Sequence, residues 1–289
     1  MNIRHLKIFI MVANCNNMSL AADRLFISQP SVSQAIKEIE DYYEIKLFER
    51  LSKKLYITEN GKLLLKYARH IISSFEDMEK ELKNSSEKIS LTIGATITVG
   101  TCMINDILTK IKNKNSKIDV KVVINNSSDI EKLILESNLD IGILEGKINN
   151  KDIIKTPIYR DELILVAGKT NKFYKREYIE IKELEGQNLI LREEGSGSRE
   201  IFDNVLKENN IHINEKMTST DTEAIKNLVI EGHGLAVLSK LIVKKELERG
   251  TLKAISIKNV DLYRDIIIAY HKNKFISEHL KLLIDILNN

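Results

Sequence analysis

The stretch LFISQPSVSQAIKEIE combines small polar side chains with an apolar repeat of helical spacing. Ser28 is suited to cap a helix, and Pro30 would fall in its first turn, where a missing N–H has no helical partner to lose. Val32, Ile36 and Ile39 would form the buried face. The opposite face is polar and slim at its N-terminal end, with Pro30, Ser31, Ser33, Gln34 and Lys37. A helix that enters the DNA major groove requires such a face, so the pattern predicts a recognition helix.

Basic residues follow in KLFERLSKKLYIT, a predicted hairpin. Arg50, Lys53 and Lys54 would lie near its tip, beside the recognition helix, and would contact DNA phosphates. A winged helix-turn-helix over residues 1–59 is therefore predicted. Acidic residues nearly balance the charge of this head, so we expect affinity to come from geometry and from two heads that bind together.

A row of apolar residues follows at spacings of three and four, the pattern of a helix that pairs with another helix. Its members are Leu64, Tyr67, Ile71, Phe75, Met78 and Leu82. The row predicts one long helix from Asn60 to Lys83, within a linker at residues 60–87, that pairs with a second copy of the chain. The alternative is that this helix lies on its own domain.

Strand and helix patterns alternate from Ile89 onward, which predicts a parallel sheet covered by helices. A second such set begins at DELILVAG. We therefore expect a two-lobed α/β domain at residues 88–289, with lobe I at 88–160 and 262–289 and lobe II at 161–261. A ligand crevice is expected at the carboxyl ends of the strands.

Composition narrows the class of protein. The 289 residues are 43% hydrophobic with a net charge of +3, two cysteines and six scattered histidines, so neither a disulfide framework nor a metal site is expected. No apolar run is long enough to span a membrane, and the N-terminal stretch lacks a signal-peptide cleavage site. A cytoplasmic location with no membrane partner is expected.

The head resembles that of the LysR-type transcriptional regulators, through LKIFIMVAN, SLAADRLFISQPSVSQAIKEIE, IKLFER and ITENGKLLLKYA. Further along, IGATITVGT, LDIGILEG, DELILVAG, LREEGSGSRE and TEAIKNLVIEGHGLAVLS resemble the effector domain of that family, most of all in the branch that controls sulfur assimilation and carbon fixation. Asn16, Asn17 and Met18 depart from the usual turn. The resemblance implies a winged helix-turn-helix, a dimerising linker helix and a periplasmic-binding-protein-like (type 2) effector domain. It also implies a homodimer or homotetramer that activates a promoter and is no enzyme.

Carried over by position, the DNA-facing residues would be Ser28, Gln29, Pro30, Ser31, Ser33, Gln34 and Lys37. Gln29 would pair with adenine through two hydrogen bonds, and Pro30 would pack on a thymine methyl group. Arg50, Lys53 and Lys54 would hold the backbone. The alternative for each is an ordinary solvated surface residue.

The effector crevice is predicted from hydroxyls near strand ends and helix starts. Thr96 and Thr98 follow the first strand of lobe I, and Ser127 begins a later helix. Lobe II would contribute Ser196, Ser198, Arg199 and Thr222. These residues would bind a small anion, such as a carboxylate, sulfate or phosphate, with Arg199 as the cation and no cofactor. For Arg199 the alternative is a surface arginine, and for Ser127 and Thr222 it is helix capping.

Cys102 is expected near a helix start, where its pKa would fall and make a redox sensor, although a half-buried structural residue is the simpler interpretation. Three other functions are considered. GSGSR would suit a phosphate-binding enzyme, but no P-loop and no activated serine accompany it. The two lobes would suit a solute-binding protein, and the head alone would suit a DNA architectural protein. The favoured hypothesis is a ligand-gated DNA switch.

Overall fold

The computed structural model describes residues 1–51, 54–83, 89–146 and 148–288, without the side chains of residues 80, 81 and 83. The chain forms two compact units, a helical head that ends near residue 87 and an α/β unit that follows. No helix within the described ranges is long and apolar enough to cross a membrane. Those ranges also contain no cluster of three or more His, Cys, Asp or Glu side chains that could hold a metal ion.

Four helices and a two-stranded hairpin make up the head. In chain order they are α1 (Ile3–Cys15), α2 (Met18–Leu25), α3 (Gln29–Tyr43), β1 (Phe48–Leu51), β2 (Lys54–Ile57) and α4 (Glu59–Lys83). The apolar face predicted for α3 is confirmed, because Val32, Ile36 and Ile39 are buried in one core with Phe9 and Val12. Burial of this face fixes which side of α3 remains outside.

The caps of α2 and α3 set where the recognition helix begins. Ser28 caps α3, and its hydroxyl accepts the backbone N–H of Ser31 at 3.4 Å. Asn17 caps α2, since its side-chain oxygen accepts the N–H groups of Ser19 and Leu20. Asparagine is one of the preferred residues at this position.

Helix α4 has two apolar faces. Ala68 is fully buried in the head core, with Leu64, Leu65 and Ile72 packed against it. Leu64 was expected in the pairing row, and the structure instead places it against its own head. Leu64 packs there because the N-terminal part of α4 lies against α1. Further along, the remaining members of the row are exposed or half-buried: Tyr67, Ile71, Phe75, Met78 and Leu82.

The α/β unit begins with one lobe of alternating strands and helices. Its elements are β3 (Ile89–Thr96), α5 (Ile97–Cys102), α6 (Ile104–Lys114), β4 (Ile118–Asn125), α7 (Ser127–Leu135) and β5 (Ile141–Glu145). The predicted parallel arrangement is confirmed for β3, which pairs in parallel with β4 and β5. Two helices, α5 and α6, follow β3 instead of one, because the backbone leaves helical geometry at Met103.

Two long strands then connect the lobes. The elements that follow are β6 (Ile153–Gly168), β7 (Tyr178–Ile179), a 3₁₀ turn (Ile181–Leu184), β8 (Asn188–Arg192), α8 (Gly197–Glu208), β9 (Asn214–Ser219), α9 (Thr222–Ile230), β10 (Ala236–Ser239), α10 (Lys244–Glu248), β11 (Leu252–Ile257), β12 (Tyr263–His271) and α11 (Glu278–Asn288). The main sheet runs β4-β3-β5-β12-β6-β11-β7, with β10 also paired to β6. Because β6 and β12 are antiparallel and pass from one lobe into the other, they form a two-stranded crossover.

Lobe II is built around a smaller parallel pair of strands, β8 and β9. Helix α8 contributes Phe202 and Leu206 to one core of this lobe, while α9 contributes Ile225 and Val229 to the other. The carboxyl ends of β8 and β9 lead into α8 and α9, just as β3 and β4 lead into α5 and α7 in lobe I. Residues at the starts of these helices are therefore the ones available at the crevice.

Candidate functional site

The outward side of α3 is open at its N-terminal end. Gln29, Pro30, Ser31, Gln34 and Lys37 are exposed there. Ser33 is half-buried, and the Ser28 and Ser31 hydroxyls share a hydrogen bond of 2.7 Å. The structure therefore places these side chains on one face, free of the head core.

A polar relay holds Gln34. Its side-chain amide donates to Glu38 at 3.0 Å, and the other oxygen of that carboxylate lies 3.3 Å from Nε2 of His5 on α1. This contact restricts the rotamers of Gln34 before any partner arrives.

Glu40 fixes the hairpin of β1 and β2, which we call the wing, to α3. This buried carboxylate accepts the backbone N–H of Leu47 at 2.8 Å and the ammonium of Lys46 at 2.8 Å. Because Leu47 leads directly into β1, the contact sets the position of the hairpin beside the recognition helix. Sequence reasoning missed Glu40, although an acid adjacent to the apolar position Ile39 was the available signal.

Two of the three predicted wing residues lie on the hairpin. Arg50 in β1 and Lys54 in β2 are exposed, on strands joined in antiparallel register. Lys53 lies outside the described residues. Both exposed cations are available to phosphates, at a position that Glu40 holds relative to α3.

In the α/β unit, Thr96 and Ser127 both contact Glu145, the last residue of β5. Thr96 donates its hydroxyl to the Glu145 carboxylate, and Ser127 donates to the Glu145 backbone carbonyl at 2.7 Å. Thr96 and Glu145 are buried. Two of the three predicted hydroxyls of lobe I therefore converge on Glu145, a residue that the sequence analysis did not foresee.

Arg264 is the cation at this place. Its side chain is 2% exposed, and its guanidinium lies 3.1 Å from Glu145 Oε1 and 2.8 Å from Asp161 Oδ2. It also donates to the hydroxyl of Thr98 at 2.8 Å. A fully buried guanidinium is held in place only when its donors are satisfied in this way.

The same contacts extend into lobe II. Asp161 accepts a hydrogen bond from the Ser239 hydroxyl at the end of β10, at 2.8 Å. The polar contacts thus run from lobe I through both crossover strands to lobe II. We call this set the interlobe network: Thr96, Thr98, Glu145, Asp161, Ser239 and Arg264. The signal for it was the charged pair Arg264 and Asp265 at the start of YRDIIIAYH, a strand whose middle is apolar.

A loop of lobe II closes on lobe I. The carbonyl of Gly195 accepts the N–H of Ser128 at 3.3 Å, and Gly195 has a φ of +83°, which favours glycine. A Cβ on Gly197 would lie 2.9 Å from the Glu145 carbonyl oxygen. Ser196 and Ser198 are buried beside these glycines, with their hydroxyls 3.1 Å apart. The two serines are thus brought to the junction of the lobes.

Arg199, the cation predicted for the effector site, is bonded within lobe II. Its guanidinium bonds Asp203 at 2.6 Å, Glu215 at 2.8 Å and the carbonyl of Arg192. Those partners raise the pKa of Arg199 against the opposing effect of burial. Arg264 is the arginine that meets the predicted threonines, and a family match of the motif GSGSRE could not reveal this.

Helix capping does not explain Ser127 or Thr222. The side chain of Asn126 caps α7 by accepting the N–H of Asp129, while the Ser127 hydroxyl turns to Glu145. Asp221 caps α9, and Thr222 lies buried in the first turn.

Cys102 is the last residue of α5 and lies two residues before the start of α6 at Ile104, so it is near a helix start as expected. Burial raises the pKa of its thiol, and the charge of Asp161 raises it further. The thiol is therefore held in its unreactive protonated form, which contradicts an activated redox cysteine.

A cavity of about 680 Å³ lies between the lobes beside the crossover. Arg160 and Tyr263 line it from the crossover strands, with the guanidinium stacked 4.5 Å from the ring centroid. Glu200 and Ile201 of α8 and Gly146 of lobe I also line it, together with Arg264 of the interlobe network. The space is large enough for a small metabolite.

Comparison with known families matches both units. Residues 3–62 match the model for the bacterial regulatory helix-turn-helix protein of the lysR family, and residues 84–289 match the LysR substrate binding domain. The chain belongs to the LysR family of transcriptional regulators. It is accordingly a DNA-binding regulator with a helix-turn-helix head and a two-lobed effector-binding domain.

Individual LysR-family relatives cover nearly the whole chain. It is 30% identical over 263 residues to the HTH-type transcriptional regulator CysL of Bacillus subtilis, covering 90% of this chain and 88% of that one. It is 32% identical over 285 residues to a probable RuBisCO transcriptional regulator of Phaeodactylum tricornutum, covering 96% and 92%. These relatives fit the branch that controls sulfur assimilation and carbon fixation.

A solved structure shares the fold of the effector domain. The regulatory domain of CcmR from Synechocystis, in complex with 2-PG, aligns with a TM-score of 0.65 and 23% identity over 69% of this chain and 95% of that domain.

Proposed function

We propose that this LysR-family regulator is a switch in which a small anion, bound between the lobes, changes how the head engages promoter DNA. Residues 1–59 would bind DNA, residues 60–87 would pair the chains, and residues 88–289 would bind the effector. The chain would catalyse no reaction, and activation is its proposed effect on the promoter. The contact of Arg264 with Glu145 carries the proposal.

The DNA face would consist of the N-terminal half of α3 and the wing. Gln29 is exposed at the first position of α3, where a side-chain amide can reach a base edge. Lys37 further along the helix and Arg50 on the wing would neutralise phosphates. The buried carboxylate of Glu40 supports this arrangement because it fixes the distance between the two elements.

The effector would bind where hydroxyls from both lobes converge. Thr96 and Ser127 approach from lobe I, and the buried pair Ser196 and Ser198 approaches from lobe II. CcmR, which shares this fold, binds the small ligand 2-PG in its regulatory domain. A small molecule between the lobes of this chain would likewise meet groups from each lobe.

The charges of the interlobe network determine which contacts an entering anion would have to displace. Glu145 and Asp161 supply two negative charges to the single positive charge of Arg264. An entering anion would therefore compete with the Glu145 carboxylate for the guanidinium and the threonine hydroxyls. Such a ligand shifts the lobes only to the extent that it prefers one arrangement over the other.

Glu145→Gln tests this competition because the amide keeps the size of the side chain and removes its charge. Thermal unfolding would be followed with sulfate, thiosulfate, O-acetylserine and sugar phosphates, each compared with the same variant without ligand. A ligand that binds only the folded chain raises the unfolding midpoint, and at one ligand concentration tighter binding gives a larger rise. We expect the anion that stabilises the unmodified chain to bind the variant about ten-fold more tightly, since a like charge has been removed.

Glu183→Gln is the matched control, because Glu183 pairs with Arg176 on the surface of lobe II, away from the network. This control should respond to the anion as the unmodified chain does. Equal shifts in the Glu145 variant and the unmodified chain would refute the competition. A panel without any stabilising compound would instead favour a DNA-binding protein that ignores metabolites.

A further inference from the structure

Phe26 presents an aromatic ring to solvent at the start of the recognition helix. Its side chain is 94% exposed, more than any other large apolar side chain in the part of the chain that the structure describes. A buried aromatic ring contributes strongly to the stability of a folded protein, and the exposed ring of Phe26 makes almost no such contribution.

The backbone at Phe26 is also unfavourable for this residue type. Phe26 ends α2 with φ +55° and ψ +41°, in the left-handed region that suits glycine and asparagine. Three other residues of this region, Asn16, Asn210 and Asn259, are asparagines. Phe26 is the one aromatic residue with a positive φ among the described residues. The head therefore bears a conformational cost at Phe26 without a packing contact that offsets it.

The neighbours of Phe26 direct its ring outward. Leu25 and Ile27 pack against the head core, and the Ile27 N–H is bonded to the carbonyl of Ala22 at 3.1 Å. Ser28 then caps α3 and Gln29 begins it. The ring thus stands beside the end of α3 that enters the groove in helix-turn-helix complexes.

We propose that Phe26 packs its ring on the deoxyribose of a DNA strand that borders the major groove. Deoxyribose carbons are the apolar surface that a duplex offers between phosphates, and they are the same at every base pair. DNA that covers the ring would explain why Phe26 occupies an exposed position with a strained backbone. This inference rests on the proposed DNA face of α3.

Phe26→Asn separates the fold from the contact. Asparagine adopts the left-handed conformation readily, so we expect the unfolding midpoint of the full-length variant to rise. Binding would be measured on a duplex that the full-length chain selects from a random library, called the selected duplex, and on a scrambled duplex of the same composition. We expect about ten-fold weaker binding on both, because a sugar contact carries no sequence information.

Tyr42→Asn is the control, since Tyr42 is 69% exposed near the opposite end of α3. Its DNA binding should stay unchanged. Unchanged binding of the Phe26 variant, a loss confined to the selected duplex, or a lowered unfolding midpoint would each overturn the inference. Gln29→Ala, measured alongside, distinguishes this failure from failure of the DNA face itself: if that variant also binds normally, the face has been misplaced.

Discussion

At the scale of single residues, Gln29 is the side chain that should read the operator. It is exposed at the first position of α3, and its amide can make two hydrogen bonds to an adenine. We expect Gln29→Ala to weaken binding to the selected duplex by about ten-fold or more, since a bidentate base contact discriminates by about 1–3 kcal/mol. Fluorescence anisotropy at fixed salt measures this loss.

Arg50→Ala is the companion variant for Gln29→Ala. Because Arg50 is proposed to contact a phosphate, Arg50→Ala should weaken binding equally to the selected and the scrambled duplex. The slope of log affinity against log salt concentration should fall in magnitude by about one. If Gln29→Ala behaved in the same way as Arg50→Ala, Gln29 would have no part in reading the sequence.

The residues that sequence reasoning missed are buried charges. Arg264 bonds Thr98 and Asp161, which lie 166 and 103 residues away along the chain. Nothing local in the sequence marks such partners, because a guanidinium is stabilised by whichever carboxylates the fold brings to it. Arg199, by contrast, sits in a recognisable motif and still proved to be engaged elsewhere.

At the scale of elements, patterns of short range were sufficient. The spacing of Val32, Ile36 and Ile39 predicted both α3 and its buried face, and α4 begins within one residue of its predicted start. Alternation also predicted the parallel pairing around β3. In each case the periodic burial of one face determines the element.

Features that depend on contacts between residues far apart in the sequence could not be predicted. The alternation predicts that a new set of elements starts at DELILVAG, whereas this segment is the second half of β6, a strand that continues from one lobe into the other. Leu64 has the spacing of the pairing row, yet it packs on the head because α4 passes over α1 at that point. Tertiary packing decides such cases, and a single sequence does not display it.

The exposed row of α4 should be the pairing surface. Ile71 is 43% exposed in the middle of this row, away from the face that packs on the head. We expect Ile71→Glu to weaken self-association by about ten-fold or more, because a charge would be buried in an apolar seam. Sedimentation equilibrium over a concentration series gives the association constant.

Tyr42→Glu is the matched change for the pairing test, with an equally drastic apolar-to-acid replacement on an exposed side chain of α3. Tyr42→Glu should leave the association constant unaltered. Circular dichroism should show the helix content of the unmodified chain in both variants. Undiminished association of the Ile71 variant would show that α4 lies only on its own domain.

At the scale of the whole molecule, the interlobe network links the two lobes, and we propose that the effector rearranges it. Asp161 and Arg264 lie on the two crossover strands, and Ser239 and Glu145 extend the contacts into lobe II and lobe I. A ligand that takes Glu145 away from Arg264 changes the bonds that hold this arrangement. In an assembly of chains paired through α4, a change in lobe packing would alter the spacing of the heads on DNA.

The most direct test of this switch is a DNase I footprint, with DNA bend angle from a circular-permutation assay on the same duplex. The full-length chain would be bound to the selected duplex placed in longer DNA, with and without the anion of the thermal panel that stabilises it. The account predicts that the anion changes the length of the footprint or the bend angle. Identical footprints and bends in both conditions, with the anion shown to be bound, would contradict it.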